Sequence, residues 1–568
     1  MKKQKEWRIY FLFIILFLIF GTVVCRLFFI QVLEHSAYLA LAQNQNLLFK
    51  KLAPQRGEIF VQDKNSSLLS LATLREYPFV YLVPREIIEE KEKVAEALAF
   101  VLEIDKQAIL EKINKEDDPY EPLKSKISDQ AAEDIKELDF KGVYVSSEKL
   151  RWYPQKNIAS HLLGFVGNKN SGRIGQYGLE GYWEQNLAGQ PGFLETEKDA
   201  LGKLILTGDY KLEEAKNGDN LYLTIDPNIQ FIAEQELKAL LEKWDAAGGS
   251  VVISDPQSGA IKAMVSLPNY NPNEYNKMES IDQFLNPVIQ KLYEPGSIFK
   301  PITMAAGLDT GKISPNTSFV DTGSVQIKGS VISNALGRSY GLSDMSKILE
   351  KSINTGAVFI QRVTGNEDFR KYVEAFGFNR PTGIDLAGEI GGSINNLKGS
   401  KEINFATASF GQGIAVTPIE LVAAIGAIAN GGKMMRPYLV EKIVHSDGWE
   451  ETIKPQEIRQ VISEQTASRL TAMLVNTVKN GYDKVKIKGY FIAGKTGTAQ
   501  VPLESEAGYS EETIHTFVGY APAYNPKFLV LIKMDKPHGI TFASDSLGPV
   551  FANIARYLFS YYEIPPDE

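Results

Sequence analysis

Seventeen residues, Ile9 to Cys25, pass without a charge behind Lys2, Lys3, Lys5 and Arg8. At the helical rise that run covers about 26 Å, slightly short of a hydrocarbon core of about 30 Å. Leu27 to Ile30 extend it, with Arg26 snorkelling toward the interface. Val23-Val-Cys-Arg-Leu27 offers no small-residue cleavage site, so the pattern predicts an uncleaved anchor over 9–32 rather than a signal peptide. The basic flank, residues 1–8, is expected in the cytoplasm and everything past about residue 35 outside it. Residues 36–220 read as an irregular mixed domain. Short β-like runs such as Phe79-Val-Tyr-Leu-Val83 alternate there with a Lys/Glu-rich, mainly helical stretch from Glu86 to Lys136 whose charges are solvated faces.

A cleaner pattern fills 221–562. Asp226-Pro227 is an N-cap with proline in the first turn. Ile229, Ile232, Ala233, Leu237, Leu240, Leu241 and Trp244 then share one face of a helix expected to end near Gly248. Ser250–Ser254 and Ala260–Ser266 around Asp255-Pro-Gln-Ser-Gly259 predict a hairpin. Tyr490–Ala493, Thr516–Tyr520 and Phe528–Met534 predict later strands, and Thr417-Pro-Ile-Glu420 is a capping box opening a helix through Ile428. Early and late strands with helices between them imply an α+β domain: an antiparallel sheet built from both ends of the segment and flanked by helices.

Composition narrows the chemistry. The 568 residues are too many for one core, and 44% hydrophobic with 23% charged content is ordinary for folded protein. A net charge of −8 opposes a general nucleic-acid binder. Cys25 is the single cysteine and the five histidines are scattered, so neither a disulfide, a metal site nor a cofactor is expected.

Three strings carry the candidate chemistry: Ser297-Ile-Phe-Lys300, Ser352-Ile-Asn354 and Lys495-Thr-Gly-Thr498. Ser297 follows Glu294-Pro-Gly296 and precedes a helical run, Ile298 to Leu308, in whose first turn Pro301 is tolerated. Three residues apart on a helix, Ser297 and Lys300 share a face, which gives an alcohol nucleophile a neighbouring base. The amine must be neutral to serve, which asks for a shift of about three pH units, or about 4 kcal/mol. Burial and the Lys495 cation are the available causes. Ser352 and Asn354 join two apolar helical segments, where a buried hydroxyl and amide demand partners and suit a proton relay and a substrate-amide contact. On a strand, Lys495, Thr496, Gly497 and Thr498 present side chains and backbone N–H groups suited to a carboxylate and a polarised carbonyl.

Each string has decoys. Ser146-Ser-Glu-Lys149 repeats the first pattern in a polar region and reads as surface; Ser314-Pro-Asn316 and Ser393-Ile-Asn395 repeat the second beside turn formers. Gly489-Tyr-Phe-Ile-Ala-Gly-Lys-Thr496 satisfies a phosphate-loop pattern, but Gly497 and Pro502 oppose the helix such a loop needs.

Taken together, these strings resemble the class B penicillin-binding proteins, membrane-anchored peptidoglycan D,D-transpeptidases, and are more like the septal branch. The likeness extends through Glu294-Pro-Gly-Ser-Ile-Phe-Lys-Pro-Ile-Thr303, Phe410-Gly-Gln-Gly-Ile-Ala-Val-Thr-Pro418, Ala493-Gly-Lys-Thr-Gly-Thr-Ala-Gln500 and Phe517-Val-Gly-Tyr-Ala-Pro522. Upstream, Arg56-Gly-Glu-Ile59, Arg151-Trp-Tyr-Pro154 and Gly178-Leu-Glu-Gly181 resemble the family's non-catalytic pedestal. One departure is Asp63-Lys-Asn-Ser66, in place of an Asp-Arg-Asn-Gly turn and displaced by two residues.

The resemblance implies a penicillin-binding transpeptidase fold on that pedestal. Ser297 would attack the carbonyl between two terminal D-alanines, with Lys300 as base. Ser352 would deliver a proton to the departing D-alanine, and Asn354 would hold the peptide and Lys300. Lys495, Thr496 and Thr498 would bind the terminal carboxylate, and the N–H groups of Ser297 and Thr498 would form the oxyanion hole. Stem peptides, β-lactams and a glycan-polymerising membrane protein are the implied partners. A D,D-carboxypeptidase, a penicillin sensor and an inactive scaffold stay open as alternatives. A class A β-lactamase does not, because no Glu-x-x-Leu-Asn string lies between Asn354 and Lys495.

Overall fold

A computed structural model describes residues 3–34, 47–115, 118–169, 172–197, 210–503 and 508–568. They fall into two compact units, Met1–Gln55 with Gly189–Asn217, and Arg56–Ala188 with Gly218–Glu568. In the first, a helix over Lys3–Phe28 runs on as a single π-helical turn, Phe29–Leu33. Its stretch Ile9–Phe28, with mean hydropathy 2.7 and no part buried, is the one helix among the described residues long and apolar enough to span a bilayer. The same unit holds a three-stranded antiparallel sheet of Leu47–Leu52, Gly192–Glu197 and Tyr210–Glu213.

In the second unit, alternation of apolar residues builds a five-stranded antiparallel sheet. Its strands are β1 (Gly248–Ser254), β2 (Ile261–Leu267), β3 (Ala493–Pro502), β4 (Tyr509–Ala521) and β5 (Phe528–Asp535), in the order β2-β1-β5-β4-β3. Period two sorts the strand residues between two cores. Phe528, Val530, Ile532 and Met534 join Val251, Ile253 and Phe517 on the face covered by helices α1 (Pro227–Trp244) and α5 (Gly548–Tyr561). Leu529, Leu531, Val252 and Val518 face the other core, shared with α2 (Lys300–Asp309), α3 (Asn354–Thr364) and α4 (Glu464–Gly481). Strands from both ends of this segment thus enclose the helices between them, as the sequence pattern predicts.

Local signals hold in detail. Asp226 accepts from the N–H groups of Asn228 and Ile229 at 2.9 and 3.2 Å, capping α1. That helix ends earlier than expected, at Trp244, because Asp245 turns left-handed with φ +44°. Thr417 and Glu420 form the capping box of the helix Pro418–Ala429. The predicted strand Tyr490–Ala493 is corrected: the strand runs from Ala493 to Pro502. Upstream of Ala493 the backbone is claimed by the C-terminal segment. Tyr490 stacks on Phe559 at 3.7 Å and donates to Ile564 O, and Phe491 N–H bonds the Asp567 carboxylate at 2.8 Å.

A seven-stranded sheet lies in the same unit. Its path is Glu450–Thr452, Val440–Val444, Asn220–Leu223, Ile59–Gln62, Leu68–Leu82 and Glu121–Lys124, with Val143–Trp152 also pairing Leu68–Leu82. The three upstream strings meet there on one carboxylate. Glu180, fully buried, takes Arg151 Nε at 2.5 Å, Arg56 Nη2 at 2.6 Å and the Tyr153 hydroxyl at 3.1 Å. Burial pushes its carboxyl up, but the Arg151 and Arg56 guanidiniums outweigh this and hold it below the usual range. In the departed turn, Asp63 Oδ1 accepts from Asn65 N and Ser67 N, and Ser66 adopts φ +67° without being glycine. Ser146 and Lys149 are exposed on the strand Val143–Trp152, away from any cluster of catalytic type.

Candidate active site

Ser297 sits in a 3₁₀ turn, Gly296–Phe299, that runs directly into α2. The turn forms because Gly296 takes φ +59° and Pro301 starts the helix without needing its N–H. It is seated on the Phe410-Gly-Gln-Gly413 loop: Gly296 N–H donates to Gly411 O at 3.0 Å, and a Cβ on Gly411 would stand 2.2 Å from Gly296 O. Glu294 braces the same loop, accepting from Gly413 N and from the Tyr509 hydroxyl, each at 2.9 Å.

Lys300 is 1% exposed, and its amine lies 3.0 Å from Ser297 Oγ. It also meets Ser352 O at 2.6 Å, Asn354 Oδ1 at 2.8 Å and Ser352 Oγ at 3.1 Å. Two of these oxygens only accept and two belong to hydroxyls. A neutral amine therefore gives its two N–H bonds to Ser352 O and Asn354 Oδ1 and turns its lone pair to a hydroxyl. Burial first, and then the Lys495 cation, push this amine well below the ordinary lysine range. The geometry and the electrostatics both favour a base.

Ser352 lies between the helix Met345–Glu350 and α3, with φ +56°. Its hydroxyl bridges the two lysines, 3.1 Å from Lys300 Nζ and 3.2 Å from Lys495 Nζ. Asn354 is the first residue of α3, and its Nδ2 donates to Ser333 O at 2.9 Å.

Lys495, Thr496, Gly497 and Thr498 occupy β3, the edge strand of the sheet. Lys495 is fully buried. Its amine donates to Tyr482 OH and Thr496 O at 3.0 Å each, besides Ser352 Oγ, and no carboxylate pairs with it among the described residues. A buried cation without a counter-ion is an attractive seat for an anion. Thr496 N–H points off the sheet to Tyr482 OH at 3.4 Å, so the two-residue period places the Thr498 N–H on the same free edge. Thr498 is exposed; its Oγ1 accepts from Ala543 N at 3.3 Å, which leaves its hydroxyl hydrogen to point elsewhere. Gly497 lets the strand touch the nucleophile turn, since a Cβ there would stand 2.8 Å from Pro295 O.

The three strings are therefore brought together through Lys300, Ser352 and Lys495. Tyr482, just past the end of α4, was not singled out by sequence; its hydroxyl meets Lys495 Nζ, Thr496 Oγ1 and Thr496 N. Nothing in its local pattern marks it, because its partners lie thirteen and fourteen residues on.

Residues 249–556 match the penicillin binding protein transpeptidase domain, and residues 51–223 match the penicillin-binding protein dimerisation domain. The chain belongs to the penicillin-binding protein transpeptidase family. Stage V sporulation protein D of Bacillus subtilis is 34% identical over 559 residues, 96% of this chain and 84% of that protein. A peptidoglycan D,D-transpeptidase FtsI homolog of Mesostigma viride is 29% identical, over 100% of this chain and 98% of its own. Among solved structures, a peptidoglycan synthetase of Bifidobacterium adolescentis superposes with a TM-score of 0.73 at 25% identity, covering 92% of this chain and 98% of that one. Penicillin Binding Protein 2X of Streptococcus thermophilus shares the fold with a TM-score of 0.73 at 24% identity, over 91% of this chain and 81% of its own. With its apolar N-terminal helix, this penicillin-binding protein carries one candidate membrane span among the described residues.

Proposed function

We propose that the protein is a peptidoglycan D,D-transpeptidase that cross-links stem peptides through an ester on Ser297, and that β-lactams acylate the same oxygen. The observation that carries this is a buried Lys300 amine, lowered in basicity, 3.0 Å from Ser297 Oγ. Ser297 Oγ attacks the carbonyl carbon between two terminal D-alanines as its proton passes to Lys300 Nζ. The N–H groups of Ser297 and Thr498 hold the oxyanion. Collapse breaks the C–N bond, and the proton on Lys300 returns through Ser352 Oγ to the departing amine. Asn354 holds the peptide and Lys300, while Lys495, Thr496 and Thr498 receive the terminal carboxylate. An amine from a second stem peptide then attacks the ester, forming the cross-link and restoring the serine.

In this reading residues 1–8 are cytoplasmic, 9–32 anchor the chain in the cell membrane, 36–220 form a pedestal and 221–562 the transpeptidase domain. Lys2, Lys3, Lys5 and Arg8 support the orientation. The glycan strand comes from a separate membrane-bound polymerase. A septal role rests on overall likeness, and depletion is expected to give filaments; rounded cells would contradict it. The direct test of the chemistry is labelling by a fluorescent penicillin. The wild type should be labelled and Ser297→Ala should not, and nascent glycan supplied with a polymerase should yield cross-linked peptides by mass spectrometry. Unchanged label on Ser297→Ala removes the nucleophile assignment.

A further inference from the structure

The direction of the Lys300 lone pair depends on which end of the Asn354 amide it meets. With Oδ1 toward it at 2.8 Å and Ser352 O at 2.6 Å, both N–H bonds are occupied and the lone pair is left to the hydroxyls. With the amide turned over, an Asn354 N–H takes the lone pair and Ser297 loses its base. Ser333 selects the end, because its carbonyl accepts from Asn354 Nδ2 at 2.9 Å.

Both residues of that bond have their chain neighbour in one buried cluster. Asn334, next to Ser333, donates from Nδ2 to Asp321 Oδ1 and Oδ2 at 3.0 and 2.9 Å. Thr355, next to Asn354, donates its hydroxyl to Asp321 Oδ1 at 2.6 Å and its N–H to Asn334 Oδ1 at 3.1 Å. Gly323 N and Tyr340 N complete the carboxylate at 3.0 and 2.8 Å. Asp321, Asn334 and Thr355 are 2%, 4% and 7% exposed. The cluster ties the hairpins Ser318–Asp321/Gly341–Asp344 and Ser324–Ile327/Ser330–Ser333 to the first turn of α3. Every group facing the Asp321 carboxylate is a donor, so an amide at that position sets an N–H against another N–H.

We propose that Asp321, Asn334 and Thr355 are positioning residues that fix the Asn354 amide, through the Ser333 carbonyl, in the orientation that leaves the Lys300 lone pair on Ser297. The inference rests on Ser297 acylation assisted by Lys300. Neither Asp321 nor Thr355 touches substrate, so their effect should fall on the chemical step and spare binding.

The test uses the full-length protein in detergent. Stopped-flow acylation by a fluorescent penicillin separates the acylation rate constant from the preceding binding constant, with Tm recorded alongside. Thr355→Val keeps the side-chain shape and removes the hydroxyl; Thr355→Ser keeps the hydroxyl. Thr355→Val and Asp321→Asn are expected to slow acylation about 10-fold or more. Binding constants should stay at the wild-type value, and Thr355→Ser should recover the rate. Wild-type acylation in Thr355→Val overturns the proposal. So does a joint loss of binding, Tm and rate that Thr355→Ser fails to recover, which is the mark of a purely structural role. If Asp321→Asn does not fold, the Thr355 pair decides. A wild type that takes no label overturns the proposal together with the serine chemistry, and is told apart because it precedes any substitution.

Discussion

Ser352 occupies a position where glycine is ordinary. Its N–H donates to Leu349 O at 3.3 Å and the Ile353 N–H to Ile348 O at 2.9 Å, the paired bonds of a Schellman C-cap on the helix Met345–Glu350. The cap puts Ser352 at φ +56°, which costs a residue bearing a Cβ about 1–2 kcal/mol. A serine kept there is explained by its hydroxyl, which alone touches both Lys300 and Lys495. Comparing Ser352→Ala with Ser352→Gly separates strain from chemistry, since both lose the hydroxyl and only glycine also loses the Cβ. Glycine's larger unfolded-state entropy returns about 0.5–1 kcal/mol. The glycine variant should therefore be the more stable of the two by about 0.5–1 kcal/mol, a Tm difference of about 1–3 °C. Both should slow acylation alike, by about 10²–10⁴-fold, the usual worth of a positioned proton donor. The assays are thermal unfolding and stopped-flow labelling with a fluorescent penicillin. Equal stability of the two variants refutes the strain argument, and wild-type acylation by Ser352→Ala refutes the relay.

Three other perturbations probe separate links. Acylation should rise with pH as Lys300 becomes the free base; because Lys495 helps to depress that pKa, Lys495→Gln should move the acid limb of the pH–rate profile upward, and an unmoved limb counts against the two-lysine coupling. Glu180→Ala leaves Arg151 buried without its carboxylate and Arg56 with Glu184 alone, and should cost about 3–5 kcal/mol in urea unfolding. Since the folded Glu180 pKa is lowered, its contribution is present above the unfolded value of about 4.3 and is lost as pH falls through the lowered one, so wild type and variant should converge in acid. Gly497→Ala places a methyl 2.8 Å from Pro295 O and 3.2 Å from Ile298, and should slow acylation at least about 10-fold while costing about 1–3 kcal/mol; an unaffected rate means that β3 and the nucleophile turn are not in register for chemistry.

What the sequence disclosed follows from periodicity and local hydrogen bonding. The Asp226 and Thr417 caps, the hairpin before Leu267 and the alternation in β5 are all set within a few residues, so a short window contains their cause. The placement of the candidate strings was legible for the same reason: Ser297 and Lys300 meet across one turn, and Lys495 to Thr498 lie along one strand edge. The strand boundary at Ala493 was not, because the segment from Tyr490 to Ile492 has the composition of a strand and is diverted by Phe559, Ile564 and Asp567. Tyr482, Asp321, Asn334 and Glu294 are also set by contacts across long stretches of chain. Asp321 is an ordinary residue at a strand end until Thr355 and Asn334 arrive on it.

That division has a chemical logic. Hydroxyls and amines at motif spacing are placed by local geometry, but a hydroxyl becomes a nucleophile only when the amine beside it is neutral. The push toward the neutral form comes from enclosure of Lys300 and then from a second buried cation, Lys495, which arrives on a strand nearly two hundred residues later. Keeping two lysines so close demands an oxygen between them, and Ser352 supplies it at the expense of an unfavourable backbone angle. Exchanging Lys300 for arginine would put a permanent cation where the chemistry needs a free base, since guanidinium does not deprotonate in proteins. Such a variant should fold, bind penicillin and fail to be acylated; acylation at the wild-type rate would mean that the proton of Ser297 leaves by another route.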